Sequence, residues 1–101
     1  METEKVIFRS FKDPYDGYDK YMAIFPEDAA NLGNVAYVDI WKDNNNTWWH
    51  DCYGEIDRIV ARKYQIVHKT DPICPELIDT LKKFYGGNFK VVEKITERKI
   101  R

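Results

Sequence analysis

The chain has 101 residues, of which 44% are hydrophobic, 15% aromatic and 33% charged, and its net charge is −1. This composition is typical of one globular domain, residues 1–101, and excludes a disordered chain. No apolar run approaches the roughly 20 residues that cross a bilayer, and the N-terminal segment does not have the pattern of a signal peptide, so we expect a cytoplasmic protein that does not contact a membrane.

Two strands are predicted at the beginning of the chain. Lys5 to Phe11 is rich in β-branched and aromatic residues and is apolar on both faces, which indicates a strand covered on both sides. A loop with Pro14 and Gly17 follows, and Tyr21 to Phe25 predicts a second strand that Pro26 ends. The connection from Phe25 to Asn34 has room for one helical turn.

A third strand is predicted from Val35 to Trp41. Its alternation directs Ala36, Val38 and Ile40 towards the core and places Trp41 on the other face. An Asn-rich turn follows, and Trp48 to Tyr53 predicts a fourth strand that pairs back.

The second half of the chain contains the clearest helix signal. Gly54 to Asp57 predicts a turn, and Arg58 to Lys69 alternates like a strand, with a helix as the alternative for its first half. Pro75 to Tyr85 predicts a helix, since Pro75 suits a first helical position and the apolar residues recur at helical spacing. Asn88 to Ile95 predicts a last strand.

Together these elements predict an α+β fold. We expect a twisted antiparallel sheet of about five strands, in the order ββββ(β)αβ, with the helix of residues 75–85 packed on one face. In this arrangement the helix buries Leu77, Leu81 and Phe84 against the sheet. The sheet residues expected beneath it are Ile7, Ile24, Val38, Ile40 and Val91 or Val92.

Aromatic residues are concentrated around two loops that are expected to lie at one end of the sheet. Trp and Tyr are enriched where proteins bind partners, because one end of the side chain is apolar and the other forms hydrogen bonds. The residues predicted to bind are Trp41, Trp48, Trp49, His50, Tyr53, Tyr15 and Tyr18. The same rings would also serve to cover an open end of the core, and the sequence does not decide between these two roles.

The sequence does not predict catalysis. His50 and Cys52 project to the same side of a strand, but no residue orients the histidine as a nucleophilic site requires. His50, Cys52, His68 and Cys74 do not have the spacing of a zinc site, and the cysteines are expected to be free thiols. We therefore predict a protein that is not an enzyme and has no metal or cofactor.

A basic C-terminal half supports nucleic-acid binding as an alternative. Residues 13–58 contain ten acids and three bases, whereas residues 59–101 contain ten bases and five acids. If the last two predicted strands are neighbours, their cations form one stripe. The stripe consists of Arg58, Arg62, Lys63, Lys90, Lys94, Arg98 and Lys99.

Two motifs resemble a known family. Lys5 to Asp13 reads KVIFRSFKD and Met22 to Glu27 reads MAIFPE, which resembles small uncharacterised proteins of bacteria, phages and other mobile elements that open with KVIFRxFKD and AxFPE. The helix from Pro75 and the closing strand also fit that pattern, whereas residues 44–50 depart from it. The resemblance implies a mobile-element context and assigns no activity.

These observations predict a non-enzymatic binding module. We expect an accessory or inhibitor protein that docks on a host protein through its aromatic loop, with nucleic-acid binding as the alternative. The partner is not identified by the sequence. An exposed final strand, Phe89 to Ile95, is able to pair with a second copy, whereas its lysine-rich pattern discourages such pairing, so monomer and homodimer are equally supported.

Overall fold

The computed structural model describes residues 3–28, 33–51 and 53–93. Seven strands and two helices follow one another in these ranges. They are β1 (Thr3–Lys12), β2 (Asp19–Phe25), β3 (Asn34–Lys42), β4 (Trp48–His50), β5 (Gly54–Asp57), α1 (Arg58–Ala61), β6 (Gln65–Ile66), α2 (Cys74–Tyr85) and β7 (Asn88–Val91). The fold is α+β, as the sequence predicts.

The sheet is mixed and has more strands than predicted. Its order is β4-β3-β2-β1-β6, β5 also pairs with β3, and β7 also pairs with β1. β4 and β5 share one edge of β3, interrupted where Asp51 N donates to Asp39 O. The predicted fourth strand, Trp48 to Tyr53, is therefore shorter, and the predicted turn at Gly54 to Asp57 is a strand.

β7 pairs with β1 in parallel, so the prediction of a purely antiparallel sheet is wrong. Thr3 lies opposite Asn88 and Val6 opposite Val91. Because α2 returns the chain to the end of the sheet where β1 begins, the strand that follows runs in the same direction as β1. Further along the same edge of β1, Arg9 and Ser10 pair with β6, where Arg9 lies opposite Ile66.

α2 covers one face of the sheet. Its Leu77 and Leu81 are fully buried and pack with alternate residues of the strands. This core consists of Val6, Phe8, Ala23, Phe25, Ala36, Val38, Ile40, Val67, Cys74, Leu77 and Leu81. Ile7 and Ile24 do not belong to it, contrary to prediction, because they alternate with Phe8 and Ala23 and point to the opposite face.

The opposite face has a smaller core that α1 covers. Ile7, Met22, Ile24 and Val35 pack there with Ala61 of α1. The cap of α1 is Asp57, whose Oδ1 accepts hydrogen bonds from Ile59 N at 2.8 Å and Val60 N at 3.4 Å. Residues 58–61 are therefore helical, which is the alternative for this segment, and only Gln65–Ile66 forms a strand.

The ends of α2 follow from its sequence. Pro75 occupies the first turn, and its missing N–H costs nothing there because helical N–H groups are unpaired at that position. Gly86 ends the helix with φ = 71°, a conformation that residues with a side chain rarely adopt, and its N–H donates to Lys82 O at 2.9 Å. The predicted range, 75–85, differs from the observed one by one residue.

Some predictions fall on residues outside the described ranges. The predicted helical turn between Phe25 and Asn34 includes residues 29–32, and Cys52 also lies outside. The same holds for the end of the predicted last strand and for three members of the basic stripe, which are Lys94, Arg98 and Lys99. None of the described helices combines the length and apolar character that crossing a bilayer requires.

Candidate binding site

The β1–β2 loop and the β3–β4 loop lie at the same end of the sheet, because β1 and β3 run in the same direction. Aspartates shape both loops. Asp13 Oδ1 accepts from Tyr15 N at 2.8 Å, and Asp16 Oδ1 accepts from Tyr18 N at 2.9 Å. In the second loop Asp43 Oδ1 accepts from Asn45 N at 2.8 Å and Thr47 N at 3.0 Å, the turn chemistry expected of Asp.

Two clefts open between these loops and the segment that precedes α2. One, of about 390 Å³, is lined by residues of both loops, including Tyr18 and Trp48. The other, of about 310 Å³, is lined by β1, β6 and the segment before α2. Asp19, Tyr21 and Ile73 line both clefts, so the two adjoin. We call the pair the hairpin groove.

Trp48 forms an aromatic wall of the hairpin groove. It is half-buried, and its ring centroid lies 6.3 Å from that of Tyr21 at an interplanar angle of 49°. Its indole N–H donates to Glu76 Oε1 of α2 at 3.3 Å. Lys42 forms a salt bridge with the same carboxylate, and its ammonium lies 5.3 Å from the Trp48 ring centroid. The hydrogen bond to Lys42 holds the pKa of Glu76 below its usual value.

Acidic groups surround Tyr21 in the hairpin groove. Burial raises the pKa of the Tyr21 hydroxyl, and the negative charges of Asp19, Asp71 and Glu76 raise it further, while Lys42 opposes them. Glu76 is neutralised by Lys42, whereas Asp19 and Asp71 form no salt bridge within the described part of the chain. The groove therefore combines aromatic walls with carboxylates that form no salt bridge among the described residues.

Trp41 and Trp49 lie on the opposite face of the sheet from Trp48. They form a cross-strand pair between β3 and β4, and Trp49 is 51% exposed. The Trp49 indole N–H donates to Asp43 Oδ2 at 2.8 Å. The structure therefore divides the three tryptophans between two faces, because adjacent residues of a strand point in opposite directions.

A buried cation, the ammonium group of Lys20, lies over the Trp41 ring. Lys20 Nζ lies 4.2 Å from the ring centroid, 2.8 Å from Asp13 Oδ2 and 3.1 Å from Asp16 Oδ2. Burial opposes the charge of Lys20, but the hydrogen bonds to the two aspartates outweigh burial and raise its pKa. Lys20 thus links the β1–β2 loop to the face of the sheet on which Trp41 and Trp49 lie.

Two further polar groups of this face are buried without full pairing. Arg9 is 6% exposed and its Nη1 donates to Tyr64 O at 3.0 Å, but its Nε is without a hydrogen-bond partner among the described residues, as is Asp39 Oδ1. Burial, followed by the charge of Asp51, raises the pKa of Asp39 to about 6. The Asp39 carboxylate is therefore a cost to the folded state at neutral pH.

The other predicted aromatic residues lie outside the hairpin groove. His50 packs against Phe84, with ring centroids 4.3 Å apart. Tyr53 stacks on Phe25 at 5.7 Å, and its hydroxyl donates to Asp28 Oδ2 at 2.7 Å. Burial and this contact raise the pKa of Tyr53. Tyr15 is 97% exposed at the tip of the first loop. Of the seven predicted residues, the groove brings together Tyr18 and Trp48.

The structure contradicts part of the predicted basic stripe. Arg58 is 4% exposed and its Nη2 donates to Pro26 O at 3.2 Å, because α1 turns this side chain inwards. Arg62, Lys63 and Lys90 are exposed. Lys90 lines a cleft of about 530 Å³ that also includes Lys5 and Lys69.

The described residues do not include a group of three or more His, Cys, Asp or Glu side chains that is able to hold a metal ion. His68 Nδ1 lies 2.6 Å from Glu93 Oε1, and Cys74 is a buried free thiol whose Sγ donates to His68 O at 3.1 Å. Burial raises the pKa of Cys74, which makes its reactive thiolate form less accessible.

Sequence reasoning missed Tyr21, Asp19, Lys42 and Asp71 as groove residues. Tyr21 reads as an ordinary strand residue, and the two aspartates read as loop residues. The alternation of β2 is the signal that could have identified Tyr21. It places Tyr21 on the opposite face from Met22, and Tyr21 lies opposite Ile40 of the core that α2 covers. Asp71 comes from a distant segment, and only the position of α2 brings it to Tyr21.

The chain was also compared with protein-family models, with curated proteins and with solved structures, and none of the three comparisons finds a match.

Proposed function

We propose that this protein is a non-enzymatic binding module that holds a partner protein in the hairpin groove. The observation that supports the proposal is the joint lining of one open cleft by Tyr18 and Trp48, which come from the two separate loops. Rings such as these contribute much of the binding energy of protein interfaces. An accessory or inhibitor role in a mobile element fits this proposal and depends on the family resemblance.

The groove is suited to binding for two physical reasons. Its walls are held in place, since Trp48 is fixed by Glu76 of α2 and each loop by its own aspartates. A wall that is ordered before binding loses less conformational entropy when a partner arrives. The groove also offers both apolar rings and polar groups, the mixture typical of recognition sites.

Replacing Tyr18 by alanine is expected to weaken binding of the partner roughly thirtyfold or more. The substitution removes a half-buried ring from the groove wall, and loss of such a ring at an interface centre typically weakens binding by about 2 kcal/mol or more, roughly thirtyfold. The measurement is affinity capture from a host lysate with immobilised protein, with the captured partner identified and then titrated as a purified protein.

Trp49→Ala is the matched control, because it removes a large ring from the neighbouring hairpin on the opposite face of the sheet. We expect this variant to keep the affinity of the wild type. If Tyr18→Ala binds the partner as tightly as the wild type, the proposed groove is not the binding site. Equal melting temperatures of the two variants and the wild type would show that folding is not the cause.

A second candidate, nucleic-acid binding, is favoured by the cleft of Lys5, Lys69 and Lys90. Lys5 and Lys90 lie directly opposite each other on paired strands, and like charges in this position repel. A phosphate backbone would relieve the repulsion. Glu27 and Glu93 line the same cleft and reduce its positive charge.

If this candidate is correct, the affinity for a single-stranded oligonucleotide falls steeply with salt, with a log–log slope near −2 for about three phosphate contacts. Lys90→Ala is expected to reduce the slope by about 0.7. Fluorescence anisotropy at several salt concentrations measures both values. Absence of binding at low salt would eliminate this candidate.

A further inference from the structure

The carboxylates that line the hairpin groove have a negative charge that no salt bridge among the described residues neutralises. Asp19 and Asp71 line the cleft beside β1, Asp19 also lines the cleft beside Trp48, and neither forms a salt bridge among the described residues. Lys42, which lines the cleft beside Trp48, is bound to Glu76. Lys12 lines the cleft beside β1 and lies directly opposite Asp19 on the paired strands, but it is exposed and forms no salt bridge among the described residues, so water screens its charge.

The rings of the groove are suited to cations. The face of an aromatic ring is electronegative and attracts ammonium and guanidinium groups, most strongly for Trp and Tyr. The tryptophans of this chain already show the interaction, since Lys42 lies 5.3 Å from the Trp48 centroid and Lys20 lies 4.2 Å from the Trp41 centroid. In the groove, Tyr18 and Tyr21 add two further rings.

We propose that the hairpin groove receives a basic side chain, arginine or lysine, of the partner protein, and that the cation lies between these rings and the carboxylates of Asp19 and Asp71. The inference rests on the proposed function, because it gives the chemistry of the partner at the same groove. An acidic or purely apolar segment fits less well, since covering the two carboxylates without a counter-charge is costly.

Defined peptides test this chemistry without the natural partner. The probes are capped pentapeptides with alanine at four positions and Arg, Lys, Gln or Glu at the centre. Two-dimensional NMR follows the indole N–H of Trp48 and the amide of Tyr21. We expect saturable shifts with the Arg and Lys peptides, with dissociation constants on the order of 1 mM, and no saturable shift with Gln or Glu.

The Asp19→Asn/Asp71→Asn double variant is expected to bind the Arg peptide at least about fivefold more weakly, because two charge-assisted contacts are lost. Asparagine at position 71 retains the oxygen that accepts from Ile73 N, so the start of α2 is preserved. The control is Asp79→Asn, which removes an exposed carboxylate of α2 that lines neither cleft.

The inference is overturned if the Glu peptide binds as well as the Arg peptide, if no peptide binds at 10-fold the expected dissociation constant, or if the double variant binds like the wild type. These results differ from failure of the proposed function. If partner capture depends on Tyr18 but not on Asp19 and Asp71, the groove is the binding site and its ligand is not a cation. If capture does not depend on Tyr18, the proposed function itself fails.

Discussion

Replacing Leu81 by alanine is expected to lower the free energy of unfolding by about 2–4 kcal/mol. Leu81 is fully buried between α2 and the sheet, so the substitution removes apolar surface from the core and leaves a cavity. For a chain of this length the loss corresponds to a decrease of about 8 °C or more in the melting temperature. Urea denaturation and thermal melting monitored by circular dichroism measure both quantities.

Lys83→Ala is the matched control for this experiment. Lys83 lies two residues further along α2 and is exposed, so truncation there changes helix propensity by little and removes no buried contact. We expect its effect to stay within about 0.5 kcal/mol. If the melting temperature of Leu81→Ala equals that of the wild type, α2 does not contribute to the core as described.

Replacing Asp39 by asparagine is expected to stabilise the protein at pH 7 by about 1–2 kcal/mol. This value is smaller than the full pKa shift would give, because water reaches part of the side chain and screens its charge. Burial, and then the charge of Asp51, raises the pKa of Asp39 from 3.8 to about 6 in the folded state. Well below pH 3.8, the ordinary pKa that the group has in the unfolded chain, the carboxyl is neutral in both states and costs nothing. The cost of its charge develops as the pH rises from about 4 to 6 and is complete above that range.

The measurement is the difference in free energy of unfolding between Asp39→Asn and wild type at pH 4 and pH 7. Asp13, Asp43 and Glu76 have lowered pKa values and lose stabilisation in acid, but this loss is common to both proteins and cancels. Asp51→Asn serves as the control and should show a smaller gain at pH 7. A difference that is the same at both pH values would contradict the raised pKa of Asp39.

Local sequence signals were sufficient for the elements whose boundaries are chemically marked. The helix of α2 was predicted to within one residue because Pro75 and Gly86 mark its ends, and the alternation of β3 correctly placed Ala36, Val38 and Ile40 beneath it. For residues 58–61 the alternating Ile and Val favoured a strand. The capping side chain of Asp57 and the burial of Arg58 stabilise a helix there instead.

Pairing between distant segments was not predictable. Nothing within Asn88–Val91 indicates that its partner is Thr3–Val6, or that the two strands are parallel. Both facts depend on the end of the sheet to which α2 returns the chain. The candidate site shows the same limit. Tyr18 and Trp48 are identified from residue type, but the cleft that they share with Ile73 depends on where the segment before α2 meets the two loops.

The edge of β1 that is shared by β6 and β7 has a consequence for how the chain folds. Thr3 and its partner Asn88 are separated by 85 positions, so this part of the sheet forms only after a very long loop has closed. Such non-local pairing slows folding. During synthesis on the ribosome, the Thr3–Val6 part of this edge therefore stays unpaired until nearly the entire described chain has emerged, and until then it is available to chaperones or to other nascent chains.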